Sequence, residues 1–152
     1  MRVSAKADYA VRATAELAAA PDASPVPAEV LAQAQDIPHR FLEAILRDLR
    51  REGVVASRRG ASGGYVLARP AEQVTVADVV RAVDGPLVFV RDHRPSDLDY
   101  TGAASTLLDV WVALRVNVRA VLEQVTMADL AAGTVPDGVR HLTRTDGAWE
   151  NN

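Results

Sequence analysis

Cysteine is absent from this chain of 152 residues. That absence excludes disulfides, thiolate metal sites, cysteine-held iron–sulfur clusters and cysteine nucleophiles within the chain. Aromatic residues are scarce at 5%, and lysine occurs only as Lys6. Hydrophobic residues make up 49%, yet none of their runs approaches the roughly 18 residues of a membrane span. The opening Met1-Arg2-Val3-Ser4-Ala5-Lys6-Ala7-Asp8 lacks the apolar stretch of a signal peptide, so a soluble cytoplasmic protein is expected. The length suits one domain that buries a core without staples. No internal repeat is evident.

What charge there is lies unevenly. The net charge is −3, but residues 1–69 hold 10 Lys/Arg against 8 Asp/Glu, and residues 70–152 hold 7 against 12. Within 40–69 the count is 7 against 3. An acidic protein with such a local basic stretch can still bind a polyanion. Of the 17 basic residues 16 are arginine, whose fork grips phosphate or guanine in a bidentate way.

Periodicity predicts a helix over 3–20 capped by Ser4, with Val3, Ala7, Ala10, Val11, Ala15 and Ala18 at helical spacing. Pro21-Asp22-Ala23-Ser24-Pro25 ends it. A short helix follows over 27–35, with Pro27 in its first turn and Val30, Leu31 and Ala34 inward. After the tight turn Asp36-Ile37-Pro38, a third helix runs over 39–52 and stops at Gly53. Its residues Phe41, Leu42, Ile45, Leu46 and Leu49 share one arc, and Arg40, Glu43, Arg47, Arg50 and Arg51 share the opposite one. In isolation that is a solvated charged face. Two short helices around a tight turn, the second presenting arginines, match a helix-turn-helix.

Val54-Val55-Ala56-Ser57-Arg58 and Tyr65-Val66-Leu67-Ala68-Arg69 read as paired strands around Arg59-Gly60-Ala61-Ser62-Gly63-Gly64. The glycines of that tip either supply positive φ alone, or let backbone N–H groups cradle phosphate, or thin the tip so that arginine enters a minor groove. The loop leads into a strand and lacks a Gly-Lys-Ser/Thr ending, which argues against a nucleotide site. A helix-turn-helix followed by a hairpin is a winged helix. The fold class expected is mainly α with a small β-hairpin wing, a winged helix-turn-helix domain plus a long C-terminal dimerisation helix.

The run from Ile37 through Leu42-Glu43 to Val55, followed by Arg59-Gly60-Ala61-Ser62-Gly63-Gly64-Tyr65, resembles the Rrf2 family of bacterial winged-helix transcription regulators. The resemblance extends from Ser4-Ala5-Lys6-Ala7-Asp8-Tyr9 to Val125-Thr126-Met127-Ala128-Asp129-Leu130. It implies that the helix carrying His39, Arg40, Glu43 and Arg47 enters the major groove, with Arg40 on guanine or phosphate and Glu43 on a cytosine amino group. It implies a wing of Arg58, Arg59, Gly60, Ser62, Gly63, Gly64 and Tyr65 along the adjacent minor groove. Lys6 and Tyr9 would reach phosphates; a solvated lysine and a core tyrosine are the alternatives for that pair.

In the second half, Thr75-Val76-Ala77-Asp78 reads as a capping box opening a helix that ends at Gly85-Pro86. A longer helix is expected over 104–125, where Leu107, Trp111, Leu114, Val118, Val121 and Val125 recur at heptad steps, with Val112 and Val116 off that stripe. Apolar residues on two sides ask for two partners, the chain's own domain and the same helix of a second copy. A single buried core helix is the alternative reading of the stripe; the family resemblance implies instead a homodimer on a palindromic operator. The divisions expected are a DNA-binding domain over 1–86, a connecting loop over 87–103, a dimerisation helix and short helix over 104–132, and a flexible tail over 133–152.

Many relatives hold an iron–sulfur cluster with three cysteines in the segment that here spans 87–104. This chain offers Asp92, His93, Asp97 and Asp99 instead, beside Arg91 and Arg94, which reads as a charged loop better than as a metal site. No cofactor is expected, and a protein or small-ligand effector takes the cluster's place. His39, His93 and His141 are scattered, and no enzyme is expected. The function expected is a homodimeric DNA-binding regulator, a repressor; the alternative is an interaction module that docks on an enzyme or another regulator.

Overall fold

The computed structural model describes residues 2–150. Helix α1 (Ala5–Ala19) is the centre of the core. Ser4 caps it, accepting from the Ala7 N–H at 2.9 Å. Its buried face is Ala7, Ala10, Ala13, Thr14 and Leu17, a strip of mostly small side chains that lets neighbouring helices approach closely. Val3 is 78% exposed and lies outside the strip, contrary to the expected spacing. The Thr14 hydroxyl, though buried, donates to the Ala10 carbonyl at 2.8 Å.

Helices α2 (Ala28–Gln35) and α3 (His39–Arg51) form the helix-turn-helix. Pro27 is the residue before α2 and not part of its first turn, and Leu31 and Ala32 are the buried residues. Val30 and Ala34, expected inward, are exposed. Asp36 closes the turn in a left-handed conformation with φ 49°, while Ile37 N–H reaches the Ala32 carbonyl at 2.9 Å. Helix α3 ends in the same way. Gly53, with φ 72°, lets Val54 N–H return to the Leu49 carbonyl and Gly53 N–H to that of Arg50.

Strands β1 (Val55–Arg58) and β2 (Gly64–Leu67) pair antiparallel, with Val55 opposite Leu67 and Arg58 opposite Gly64. Val26 adds a third rung, exchanging both backbone hydrogen bonds with Tyr65 at 2.9 and 2.8 Å. The wing is thereby stitched to the segment that leads into α2.

Helix α4 (Val76–Asp84) has the expected capping box, with Thr75 and Asp78 exchanging their bonds. It packs on α1 and α3. The segment 85–106 carries two short 3-10 turns, and α5 (Leu107–Leu122) follows. Helix α6 (Met127–Ala131) then returns to α1. It opens with a second capping box, Thr126 with Asp129. The two boxes face each other: Val76 N–H donates to the Val125 carbonyl and Met127 N–H to that of Val74.

Met127 is fully buried in the cluster that holds Leu42, Ile45, Leu46, Leu49 and Val79. Residues 125–130 therefore complete the core of the N-terminal unit and do not belong only to a C-terminal segment. Val125, expected on the dimer stripe, lies beyond α5 and is 6% exposed, already covered by its own chain. The stretch after Gly133, expected as a flexible tail, includes a further helix, α7 (Asp137–Leu142).

Met127→Ala should lower unfolding free energy by about 2–4 kcal/mol, because the side chain is fully buried and its neighbours are held from several elements. Urea denaturation reads this directly. A loss below about 1 kcal/mol would mean that α6 is not part of the core.

Candidate nucleic-acid interface

The orientation of α3 follows from its apolar face. Leu42, Ile45, Leu46 and Leu49 are 0% exposed, which forces Arg40, Glu43, Arg47 and Arg50 into solvent. Phe41 is the exception among the predicted core residues, 48% exposed, with its ring edge-on to Tyr9 at 5.8 Å. Arg40 and Arg47 form no ion pair and no side-chain hydrogen bond among the described residues. His39 sits between two carboxylates, 3.5 Å from Glu29 and 3.9 Å from Glu43. The α3 surface thus presents two free guanidiniums flanking a carboxylate and an imidazole.

On the wing, Arg58, Arg59, Gly60 and Ser62 are exposed, and both arginines are without ion pairs among the described residues. The glycines divide into two kinds. Gly60, with φ 109°, has open space where a Cβ would stand, so its requirement is conformational. Gly63 and Gly64 are needed because of close approach: a Cβ on Gly63 would meet the Arg58 carbonyl oxygen at 2.4 Å, and one on Gly64 the Val26 backbone at 2.4 Å. Those two glycines shape the wing from inside and were expected to thin its tip against DNA. Tyr65 is likewise partly buried against the core, anchoring the wing root.

Gly60-Ala61-Ser62-Gly63-Gly64 also has the Gly-x-Ser-x-Gly spacing of a hydrolase nucleophile turn. That turn runs from strand to helix, whereas this one joins two strands, and no base hydrogen-bonds Ser62 among the described residues.

Lys6 is placed differently from both of its expected readings, whereas Tyr9 takes its core alternative. The Lys6 ammonium lies 2.7 Å from Asp48 and donates to the Val83 carbonyl at 2.7 Å, tying α1 to α3 and α4. Its charge is engaged inside the protein and does not stand free for a phosphate. The Lys6 hydrogen bond is the main reason that the Asp48 carboxyl titrates below the usual aspartate range, with Arg51 adding to it. Tyr9 packs against the core and under the Arg12 guanidinium, 4.8 Å from its ring centre.

Of the expected dimer stripe, Trp111, Leu114 and Val118 line an apolar cleft of about 690 Å³ shared with α1 and α4 of the same chain. Leu107 and Val121 are half-buried, and no residue of α5 is fully buried. Val110 and Val116 are each 54% exposed. No helix among the described residues is long and apolar enough to cross a membrane.

Comparison with known proteins agrees with this geometry. The sequence profile of the Rrf2 family, described as an iron-dependent transcriptional regulator, matches residues 3–133. A protein of Mycobacterium tuberculosis named as an HTH-type transcriptional regulator, Rv1287, is 51% identical, covering 99% of this chain and 94% of that one. The HTH-type transcriptional regulator CymR of Bacillus subtilis is 31% identical, covering 88% and 92%. Its structure, titled as the global cysteine regulator, superposes with a TM-score of 0.70 at 30% identity, covering 88% and 98%. The IscR structure from T. potens gives 0.71 at 32% identity, covering 88% of each chain.

The profile's iron dependence can be tested on the donor set. Iron–sulfur clusters take thiolates, and this chain has none. Among the described residues no group of three or more His, Cys, Asp or Glu could hold a metal ion. In 87–104, His93, Asp92, Asp97 and Asp99 are exposed, and the chain there is anchored by Val88, Pro95 and Leu98. The residues present do not fit a thiolate-held cluster.

Lys6→Met should cost about 1 kcal/mol at pH 7, since it removes one ion pair and one charged hydrogen bond at a partly exposed site. Asp48 titrates lower folded than unfolded, so its contribution is full above about pH 5 and drains as pH falls through the lowered value. The stability gap between wild type and Lys6→Met should therefore narrow from pH 7 to pH 3 in urea titrations. A gap that widens on acidification contradicts the Asp48 pairing.

Proposed function

This chain belongs to the Rrf2 family of transcriptional regulators, and from that premise we propose that it represses transcription as a homodimer bound to a palindromic duplex, without an iron–sulfur cluster. Helix α3 reads the major groove through Arg40, Glu43 and Arg47, and the wing lays Arg58 and Arg59 along the neighbouring minor groove. The observation that carries this reading is that two exposed arginines on α3 and two on the wing have no ion pair among the described residues. Guanidiniums kept in solvent without carboxylate partners are available to phosphates and to guanine edges. Glu43 repels phosphate, so it serves as a reader of a base amino group and as a filter against wrong sequences.

The homodimer rests on α5. A helix that lines its own domain's cleft with Trp111, Leu114 and Val118, and leaves Val110 and Val116 in water, is apolar on two sides. A second copy gives the outer side its cover and places two α3 helices on one duplex about one helical turn, or a multiple of it, apart.

The log of DNA affinity should fall linearly with the log of salt concentration, and Arg59→Ala should weaken operator binding about tenfold while reducing that slope by about one. Unaltered affinity in a gel shift removes the wing from the interface. Val116→Glu should convert a species of twice the 16.3 kDa chain mass into one of single mass by sedimentation. Wild-type protein that sediments at the single mass overturns the homodimer.

A further inference from the structure

Four arginines from three parts of the chain line one cleft of about 460 Å³: Arg81 of α4, Arg94 of the connecting segment, and Arg115 and Arg119 of α5. This convergence runs against the local composition, because residues 70–152 carry 7 basic against 12 acidic groups. Carboxylates answer only part of it. Glu123 pairs with Arg81 and, at 3.0 Å, with Arg119. Asp78 lies 4.0 Å from Arg81 but is shared with Arg69 at 3.2 Å and with its own helix cap. Arg94 and Arg115 have no ion pair among the described residues. The Arg115 Nε–H is moreover shielded from water with no acceptor.

Two guanidiniums without carboxylates, beside two that share Glu123, leave positive charge uncompensated in the cleft, and an oxyanion held by two or more guanidiniums answers it. The remaining wall is apolar, built from Leu87, Val88 and Pro95. The volume suits a compact metabolite. We propose that this cleft binds a small organic polyanion, with two or more carboxylate or phosphate groups on a short carbon skeleton.

The site lies where α5 meets α4. Glu123, at the end of α5, reaches across to Arg81 of α4, and α4 packs on both α1 and α3. A bound polyanion competes with Glu123 for Arg81 and Arg119 and so loosens the tie between α5 and the helix that supports α3. This coupling rests on the reading of the chain as a DNA-binding regulator; the site itself does not.

Calorimetric titration of the full chain with citrate, and separately with pyrophosphate, at fixed ionic strength tests the site. Saturable binding of either probe, weakened at least tenfold by Arg94→Gln and by Arg115→Gln and untouched by Arg59→Ala, is expected. The probe that binds tighter assigns carboxylate or phosphate as the preferred group. Arg94 is exposed and its variant should fold as wild type does, so it decides the matter if Arg115→Gln melts early. No saturable binding of either probe overturns the site, as does binding lost in Arg59→Ala but kept in Arg94→Gln. A gel shift at saturating probe should show operator affinity changed about fivefold or more. Unchanged affinity with the site filled overturns the coupling while the anion site stands.

Discussion

Rotation of α3 about its own axis is set by Leu42, Ile45, Leu46 and Leu49, four side chains that leave no surface to solvent. Turning the helix by one residue, about 100°, would bring a guanidinium into that core and expel a leucine. Either change costs more than the marginal stability of a small domain tolerates. The outward direction of Arg40, Glu43 and Arg47 is thus a consequence of burial on the opposite face. The supports of α3 then fix where that face points: Asp36 shapes the turn before it and Gly53 follows its C-terminal end, both in left-handed conformations, and Lys6 holds Asp48 from α1.

The sole lysine and the arginines divide their labour by chemistry. An ammonium is a compact point charge on a flexible stem, and Lys6 uses it to gather Asp48 and the Val83 carbonyl from two helices. The guanidiniums at 40, 47, 58 and 59 have no ion pair among the described residues. The family resemblance puts Lys6 with them, because a resemblance does not reveal which cations already have partners. Only the fold brings Asp48 within 2.7 Å of a residue 42 positions earlier.

Legibility followed the range of the interaction. The helix-turn-helix, the Gly53 stop, the hairpin and the Thr75–Asp78 box were all readable, because each is decided within a few residues. Gly63 and Gly64 were visible as glycines of the wing, but their reason was not. It lies in the backbones of Arg58 and Val26, the latter brought in by a bridge to Tyr65. The return of α6 had a signal that went unread: Val125-Thr126-Met127-Ala128-Asp129 echoes Val74-Thr75-Val76-Ala77-Asp78, and the two echoes pair antiparallel at Thr75 and Thr126. Hydrogen bonds to the Thr126 backbone and hydroxyl hold the Asp129 carboxyl below the usual aspartate range, so the cap is charged at neutral pH.

Helix α5 shows why a heptad pattern alone does not assign a surface. Its steps of four and three place Trp111, Leu114 and Val118 together, and periodicity cannot say whether the surface they meet belongs to the same chain or to another. Here they look across an apolar cleft toward α1 and α4, while Val110 and Val116 stand in water. Polar ties contribute to the helix's attachment: Glu123 reaches Arg81 of the winged unit, and the Trp111 indole N–H donates to the Tyr100 hydroxyl of the connecting segment at 3.1 Å. Polar ties of this kind are weaker than a packed apolar seam and respond to competing ions. A helix attached in this way is free to settle differently when its apolar sides are covered or its arginines are claimed. The same segment is thus suited both to joining two copies and to reporting on a bound anion.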